Sequence, residues 1–252
     1  MEQRGRSGPS TEMPSASLHE IYESIDGEGF HVGQPVIIVR FAGCNLSCSY
    51  CDTPQARQAT DLVQVSTPSG EIKLRNPIDV GEIVSLLAER FSHRTVLLTG
   101  GEPLLQAEAA VALGLALRLR GFAVHLESNG TLLPQKRLAT AAFDFVSMDL
   151  KLPSSQGGRQ LWREHERFLE ALSGVRMAVK IVFDKDQVEE VMQALNLVRR
   201  VNPQLPVFLQ PVHSEEGPLV GTRRILEIVR AGQAIVPHLR LSLQMHKVLG
   251  LK

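Results

Sequence analysis

"PVIIVRFAGCNLSCSYCDT", Pro35 to Thr53, joins an apolar run to a loop holding every cysteine of the chain: Cys44, Cys48 and Cys51. The run Pro35–Phe41 is almost continuously apolar, as a strand buried on both faces is. Further runs of that kind are Thr95–Thr99, Phe122–Glu127, Phe145–Leu150, Met177–Phe183, Val207–Val212 and Leu239–Gln244. Between them lie helical patterns over Ile78–Phe91, Leu104–Arg120, Arg159–Leu172, Asp186–Arg200 and Thr222–Arg230. In Asp186–Arg200 the residues Val188, Val191, Met192, Leu195 and Val198 make one apolar stripe. Gly121 suits a helix end. Strand and helix alternating in this way predict a parallel sheet with right-handed crossovers.

An open doubly wound sheet and a partly closed barrel both satisfy that pattern. The residues at the strand ends favour the barrel. Gly43 and the cysteines follow the first strand, Gly100–Pro103 the second and Ser128–Gly130 the third. Asp149 and Lys151, Gln210–His213, and His246 with Lys247 follow later ones. Barrels build their sites from all their strand ends, whereas open sheets use mainly one crevice. The expected fold is α/β, a partial (β/α) barrel of about six to seven mainly parallel strands.

The totals narrow the function. With 27 basic and 27 acidic residues the formal net charge is zero, which argues against non-specific binding to a nucleic-acid backbone. The most apolar stretch, Leu104–Leu119, is too short for a membrane span and carries charges. Residues 1–17 lack the apolar segment of a secretory signal and read as a disordered leader before one domain over 18–252. Gln55–Pro77 reads as a small hairpin insertion. Three closely spaced cysteines make no disulfide framework and fit a reducing, cytoplasmic setting.

Cys44, Cys48 and Cys51 form C-x3-C-x2-C. Zinc with a distant histidine as fourth ligand, or buried thiols packed as small hydrophobes, are the plain readings. A four-iron cluster normally takes four thiolates, so three leave one iron with an open, catalytic position.

With Tyr50 before the last cysteine, this motif resembles the signature of the radical S-adenosylmethionine (SAM) superfamily. The resemblance implies a [4Fe-4S] cluster on the three thiolates, with SAM chelated by the fourth iron. An electron then splits SAM, and the resulting radical takes a hydrogen atom from the substrate; the cofactors carry the difficult chemistry. "TGGEP", Thr99–Pro103, resembles the glycine-rich motif near the SAM amino group, where Glu102 would accept from an ammonium.

A narrower resemblance runs from about Ile21 to the C-terminus. Glu23–Thr53, "LLTGGEPLLQ", "LESNGT", "VSMDLKLPSS", "FLQPV" and "LSLQMHKVLGLK" are similar to blocks of the 7-carboxy-7-deazaguanine synthase family. That family's reaction is a magnesium-assisted conversion of 6-carboxy-5,6,7,8-tetrahydropterin to 7-carboxy-7-deazaguanine with loss of ammonia, on the route to queuosine and related deazapurines. The resemblance puts Ile25, Asp26, Gly27, Glu28, Arg40, Thr99 and Lys252 on the substrate and Thr53 on magnesium. It puts Tyr50, Cys51, Asp52, Gly101, Ser128, Asn129, Asp149, Lys151, Gln210, Pro211, Val212 and His213 on SAM. Arg40 would pair a substrate carboxylate, with an ordinary ion pair as its plain alternative. Glu28 would meet the guanidine-like edge of the pterin or orient its loop. Asp26 departs from the family, which more often shows Gln there. The family further implies a homodimer and an electron donor such as flavodoxin or ferredoxin. The rival readings are another radical SAM enzyme, such as a glycyl-radical activase, and a zinc-stabilised binding module.

Overall fold

The computed structural model describes residues 13–184, 187–214 and 217–250. Its centre is one sheet of ten strands. In chain order these are β1 (Leu18–Ile25), β2 (Pro35–Phe41), β3 (Leu62–Thr67), β4 (Gly70–Arg75), β5 (Thr95–Gly100), β6 (Ala123–Ser128), β7 (Phe145–Asp149), β8 (Met177–Phe183), β9 (Val207–Pro211) and β10 (Leu239–Leu241). Across the sheet the order is β10-β9-β8-β7-β6-β5-β2-β1-β3-β4. From β2 through β5 to β10 every neighbour is parallel. These are the seven apolar runs of the sequence. The outermost strands, β10 and β4, are not hydrogen-bonded to each other, so the barrel is partial and open.

Strand alternation sorts the side chains. On β5 to β9 the outward positions Val96, Leu98, Val124, Leu126, Val146, Met148, Val179, Ile181, Val207 and Leu209 form one core with the helices. Those helices are α1 (Val80–Arg90), α2 (Ala107–Leu119), α3 (Lys136–Ala142), α4 (Trp162–Ala171), α5 (Val188–Val201) and α6 (Thr222–Gln233), followed by a short α7 (Met245–Leu249). Asp79 caps α1 by accepting from Gly81 N and Glu82 N at 2.8 and 3.2 Å. The inward positions change character along each strand. Ile38, Leu97, Phe145, Ala178 and Phe208 lie near the start and form small apolar clusters. Arg40, Thr99, Glu127, Asp149, Lys180 and Gln210 follow towards the C-terminal ends and line a cavity. The interior therefore has an apolar floor and a polar mouth.

Three features differ from the sequence reading, and one expected feature is present. Ser15 and Ala16, read as leader, pair antiparallel with Ile78 and Asp79, and Val80 N donates to Pro14 O at 3.1 Å; residues 1–12 lie outside the described residues. The strand β1 was not anticipated; it pairs antiparallel with β2 and supplies Glu20 and Tyr22 to the cavity. The hairpin expected in residues 55–77 is β3–β4, joined to the main sheet along β1. The helix read from Leu104 begins at Ala107, after a 3-10 turn over Pro103–Gln106. Among the described residues no helix is long and apolar enough to cross a membrane.

Candidate active site

A cavity of about 700 Å³ opens at the C-terminal ends of the parallel strands. The site residues read from the sequence meet there, except Pro211, which does not line it, and Lys252, which lies outside the described residues. The three thiols share the wall after β2, half-buried and not in disulfides. Backbone contacts fix their loop. Gly43 N donates to Ala56 O at 2.8 Å, Ser49 N to Ser155 O at 3.1 Å, and Arg57 Nη2 to Cys48 O at 3.0 Å.

The glycine pair after β5 has a different immediate role from the one its motif suggested. A Cβ on Gly101 would stand 2.0 Å from Gly43 O, and one on Gly100 2.3 Å from Phe41 O. Gly101 N donates to Phe41 O at 3.0 Å and Glu102 N to Gly43 O at 2.8 Å. The absence of side chains lets this turn lie against the entry of the cysteine loop and lock it.

Glu102 is also not the free acceptor expected for an ammonium. It is fully buried. One oxygen accepts from Leu104 N and Ser128 Oγ, both at 2.9 Å, and the other from Asn129 N at 2.7 Å. Burial pushes its carboxyl up to about 7 against those donors. Glu102 thus joins the end of β5 to the Ser128–Gly130 turn after β6. The Asn129 side chain is likewise engaged, donating to Asn45 Oδ1 and accepting from Thr131.

Charged groups fill the opposite wall. Lys180, from β8, pairs with Glu28 and lies 3.6 Å from Asp149 Oδ2, which also accepts from Lys151 Nζ at 2.7 Å. Gln244 Nε2 donates to the other Glu28 oxygen at 2.7 Å. Burial opposes ionisation of Glu28, but Lys180 and Gln244 outweigh it and hold the carboxyl down to about 2. Lys180 stays charged well above the usual lysine range despite burial, through Glu28 and Asp149. Asp26 behaves oppositely: burial, reinforced by Glu127, pushes it up to about 7. Thr99 Oγ1 donates to Glu127 Oε2 at 2.8 Å. Arg40 gives Nε to Glu20 at 2.8 Å and Nη2 to Tyr22 Oη at 2.9 Å. The plain ion-pair reading of Arg40 is therefore present, at the cavity wall rather than on an outer surface.

Comparison with known proteins resolves what this arrangement serves. The Radical SAM superfamily pattern matches residues 38–202. The chain is 34% identical to the 7-carboxy-7-deazaguanine synthase of Methanopyrus kandleri, over 97% of each chain. It is 32% identical to that of Geobacter sulfurreducens, over 94% of this chain and 98% of the relative. The chain belongs to the 7-carboxy-7-deazaguanine synthase family. Its fold is also that of a solved structure titled as QueE from Escherichia coli, with a TM-score of 0.67 at 20% identity, covering 92% of this chain and 95% of the other.

Family membership implies a [4Fe-4S] cluster and SAM, and the residues fit both. The three free thiols share one wall of the cavity, and the chain has no fourth cysteine to close a four-iron cluster. For SAM, the same cavity holds orphaned polar atoms. Asp149 Oδ1, Gln210 Oε1 and His213 Nδ1 are buried without a hydrogen-bond partner among the described residues. Orphans of this kind are rare unless a ligand or water meets them.

Sequence reasoning missed Glu20, Tyr22, Glu127, Lys180 and Gln244 as cavity residues. Lys180 had a readable signal, a lone charge in the otherwise apolar "MAVKIVF". Glu127 had a weaker one, standing at the end of a buried strand. Gln244 had none. It comes into place because Met245 N donates to Gly27 O at 2.9 Å, docking α7 on the Asp26–Glu28 loop. Gly27 permits this contact, since a Cβ there would stand 2.3 Å from His246 Nδ1.

Proposed function

We propose that the chain is a lyase converting 6-carboxy-5,6,7,8-tetrahydropterin to 7-carboxy-7-deazaguanine with loss of ammonia, a step of queuosine and deazapurine biosynthesis. The observation that carries this reading is one cavity joining three thiols to an acidic wall, in a chain of this family. When bound, the cluster and SAM supply one-electron cleavage and a radical able to take a hydrogen atom from the substrate.

The residues have distinct tasks in this reading. Cys44, Cys48 and Cys51 hold the cluster. Asp149, Gln210 and His213 offer their unengaged atoms to SAM, between the Ser128–Asn129 turn and the Tyr50–Asp52 segment. Asp26, Glu28 and Glu127 face the donor-rich pyrimidine edge of the pterin, which suits carboxylate acceptors. Lys180 keeps Glu28 ionised, so that carboxylate accepts rather than donates. Glu20 and Tyr22 hold the Arg40 guanidinium in place at the cavity wall, where it would pair the substrate carboxylate. Thr53 is the protein contact for magnesium, an ion that commonly completes its shell with water and substrate oxygens. The same reading takes the protein as a cytoplasmic homodimer that receives electrons from a flavodoxin or ferredoxin.

The test is turnover under argon. Reconstituted protein given reductant, SAM, magnesium and carboxytetrahydropterin is expected to release carboxydeazaguanine and ammonia. SAM cleavage without that product, with the cluster intact, rejects the substrate and keeps the radical chemistry.

A further inference from the structure

We propose that Arg57 is a positioning residue whose cation sets the reduction potential of the cluster: held on the Cys48 carbonyl, its guanidinium stabilises the reduced, more negative state. The proposal rests on the cluster reading of the three thiols. Arg57 ends the 3-10 turn Pro54–Arg57 that follows the cysteine loop. That turn is pinned twice at Ala56, whose side chain is fully buried and whose carbonyl accepts from Gly43 N at 2.8 Å. The next residue is thereby carried back over the loop, and Arg57 Nη2 donates to Cys48 O at 3.0 Å. Arg57 lines the cavity together with the three thiols.

The charge pattern of the cavity singles Arg57 out. Among the buried or half-buried lysines and arginines that line it, Arg40 is paired with Glu20, Lys151 with Asp149 and Lys180 with Glu28. Arg57 is half-buried and has no carboxylate partner among the described residues. A cation partly withdrawn from water without a counter-charge is unfavourable. The anion that offsets it is the one that the cluster ligands bring. As thiolates, Cys44, Cys48 and Cys51 place three negative charges on this loop, and one-electron reduction by a low-potential donor protein adds one more. A cation beside the ligands favours that more negative state and so raises the potential. Net charge and hydrogen bonding around the sulfurs are among the main determinants of cluster potential.

The competing account is a neutral tether. Gly43 N and Ser49 N already fix the loop with uncharged donors, on Ala56 O and Ser155 O. A tether explains the bond to Cys48 O but not a half-buried cation without a carboxylate. The two accounts differ in what the charge does. The setting is partly solvated, which screens the guanidinium, and the expected effect is about tenfold in the ratio of reduced to oxidised cluster at a fixed potential.

The experiment is a redox titration of the holoenzyme, with its cluster assembled under argon and no SAM added. Dithionite and mediator dyes set the potential, and electron paramagnetic resonance reads the reduced cluster. Arg57→Gln keeps a donor and removes the charge. It should lower the midpoint by about 59 mV, which is the tenfold change for a one-electron couple. Arg57→Lys keeps the charge, and its ratio of reduced to oxidised cluster should stay within about twofold of wild type. Iron content reports loading. If Arg57→Gln loses its iron while Arg57→Lys keeps both iron and potential, the charge is again what the loop needs, and the proposal stands. An unchanged midpoint in iron-loaded Arg57→Gln, an equal fall in Arg57→Lys, or loss of iron from both variants makes Arg57 a neutral tether and overturns the proposal. A wild-type chain that assembles no cluster rejects the underlying reading and the proposal together.

Discussion

Replacing Lys180 by methionine tests the charged wall most sharply. The ammonium sits between Glu28 and Asp149, with side chains 10%, 12% and 17% exposed. Methionine keeps much of the stem's volume and removes the charge, so Glu28 is left buried without its cation. The distance between its ordinary value of 4.5 and about 2 corresponds to roughly 3 kcal/mol. Orphaning one member of a buried pair costs a similar amount, about 3–5 kcal/mol. The variant should therefore lose roughly 3 kcal/mol at pH 7, which lowers the melting temperature by about 6–12 °C for a chain of this size. The folded value of Glu28 lies below its unfolded one. Its contribution is thus present above pH 4.5 and lost as the pH falls through about 2. The assay is urea unfolding of wild type, Lys180→Met, Glu28→Gln and the double variant. Once both charges are gone the orphan disappears, so the double variant should be about 2 kcal/mol more stable than the sum of the single losses allows. Purely additive losses, or a Lys180→Met within about 0.5 kcal/mol of wild type, would refute the reasoning.

Other expectations follow from the same geometry. Asp26 has a folded value near 7 against an ordinary 3.8, so the folded chain binds its proton more tightly than the unfolded one. That contribution is present below pH 3.8 and lost as the pH rises through 7; Asp26→Asn should gain on wild type by up to about 4 kcal/mol across that range, and a flat difference in urea melts would count against it. Gly101→Ala places a methyl 2.0 Å from Gly43 O, so iron incorporation should fall at least about tenfold; normal iron content would show that this turn does not set the cysteine loop. Glu102→Ala leaves Leu104 N, Ser128 Oγ and Asn129 N without their acceptor, at about 1–3 kcal/mol each, and should weaken SAM binding together with stability; intact SAM affinity in calorimetry would remove Glu102 from its organising role.

The seven parallel strands were legible because both their faces are covered, which leaves continuous apolar runs in the sequence. The strand β1 was not, although it is eight residues long. Its "LHEIYESI" points Glu20 and Tyr22 into a polar cavity, so the usual apolar alternation is broken by groups serving the site. Lys180 illustrates the converse. Its charge was visible in an apolar strand, but its partners Glu28 and Asp149 are distant in sequence, and only the closing of the barrel joins them. The cysteine spacing was readable because all three candidate ligands are local in sequence. Two of the three donors to Glu102, and the groups that dock α7 on Gly27, are backbone groups, which no side-chain pattern records. The glycines of "TGGEP" were recognised for their proximity to a ligand, while their nearest constraint is Gly43 of the neighbouring loop.

The central claim is that the chain supplies three sulfurs to a four-iron cluster and leaves one iron open to SAM. Electron paramagnetic resonance of the reduced, oxygen-protected protein with and without SAM tests it directly. The account predicts about four irons per chain and a cluster signal that shifts when SAM is added, both lost in Cys48→Ala. A cluster signal indifferent to saturating SAM, or a protein that retains no iron after anaerobic reconstitution, would contradict it.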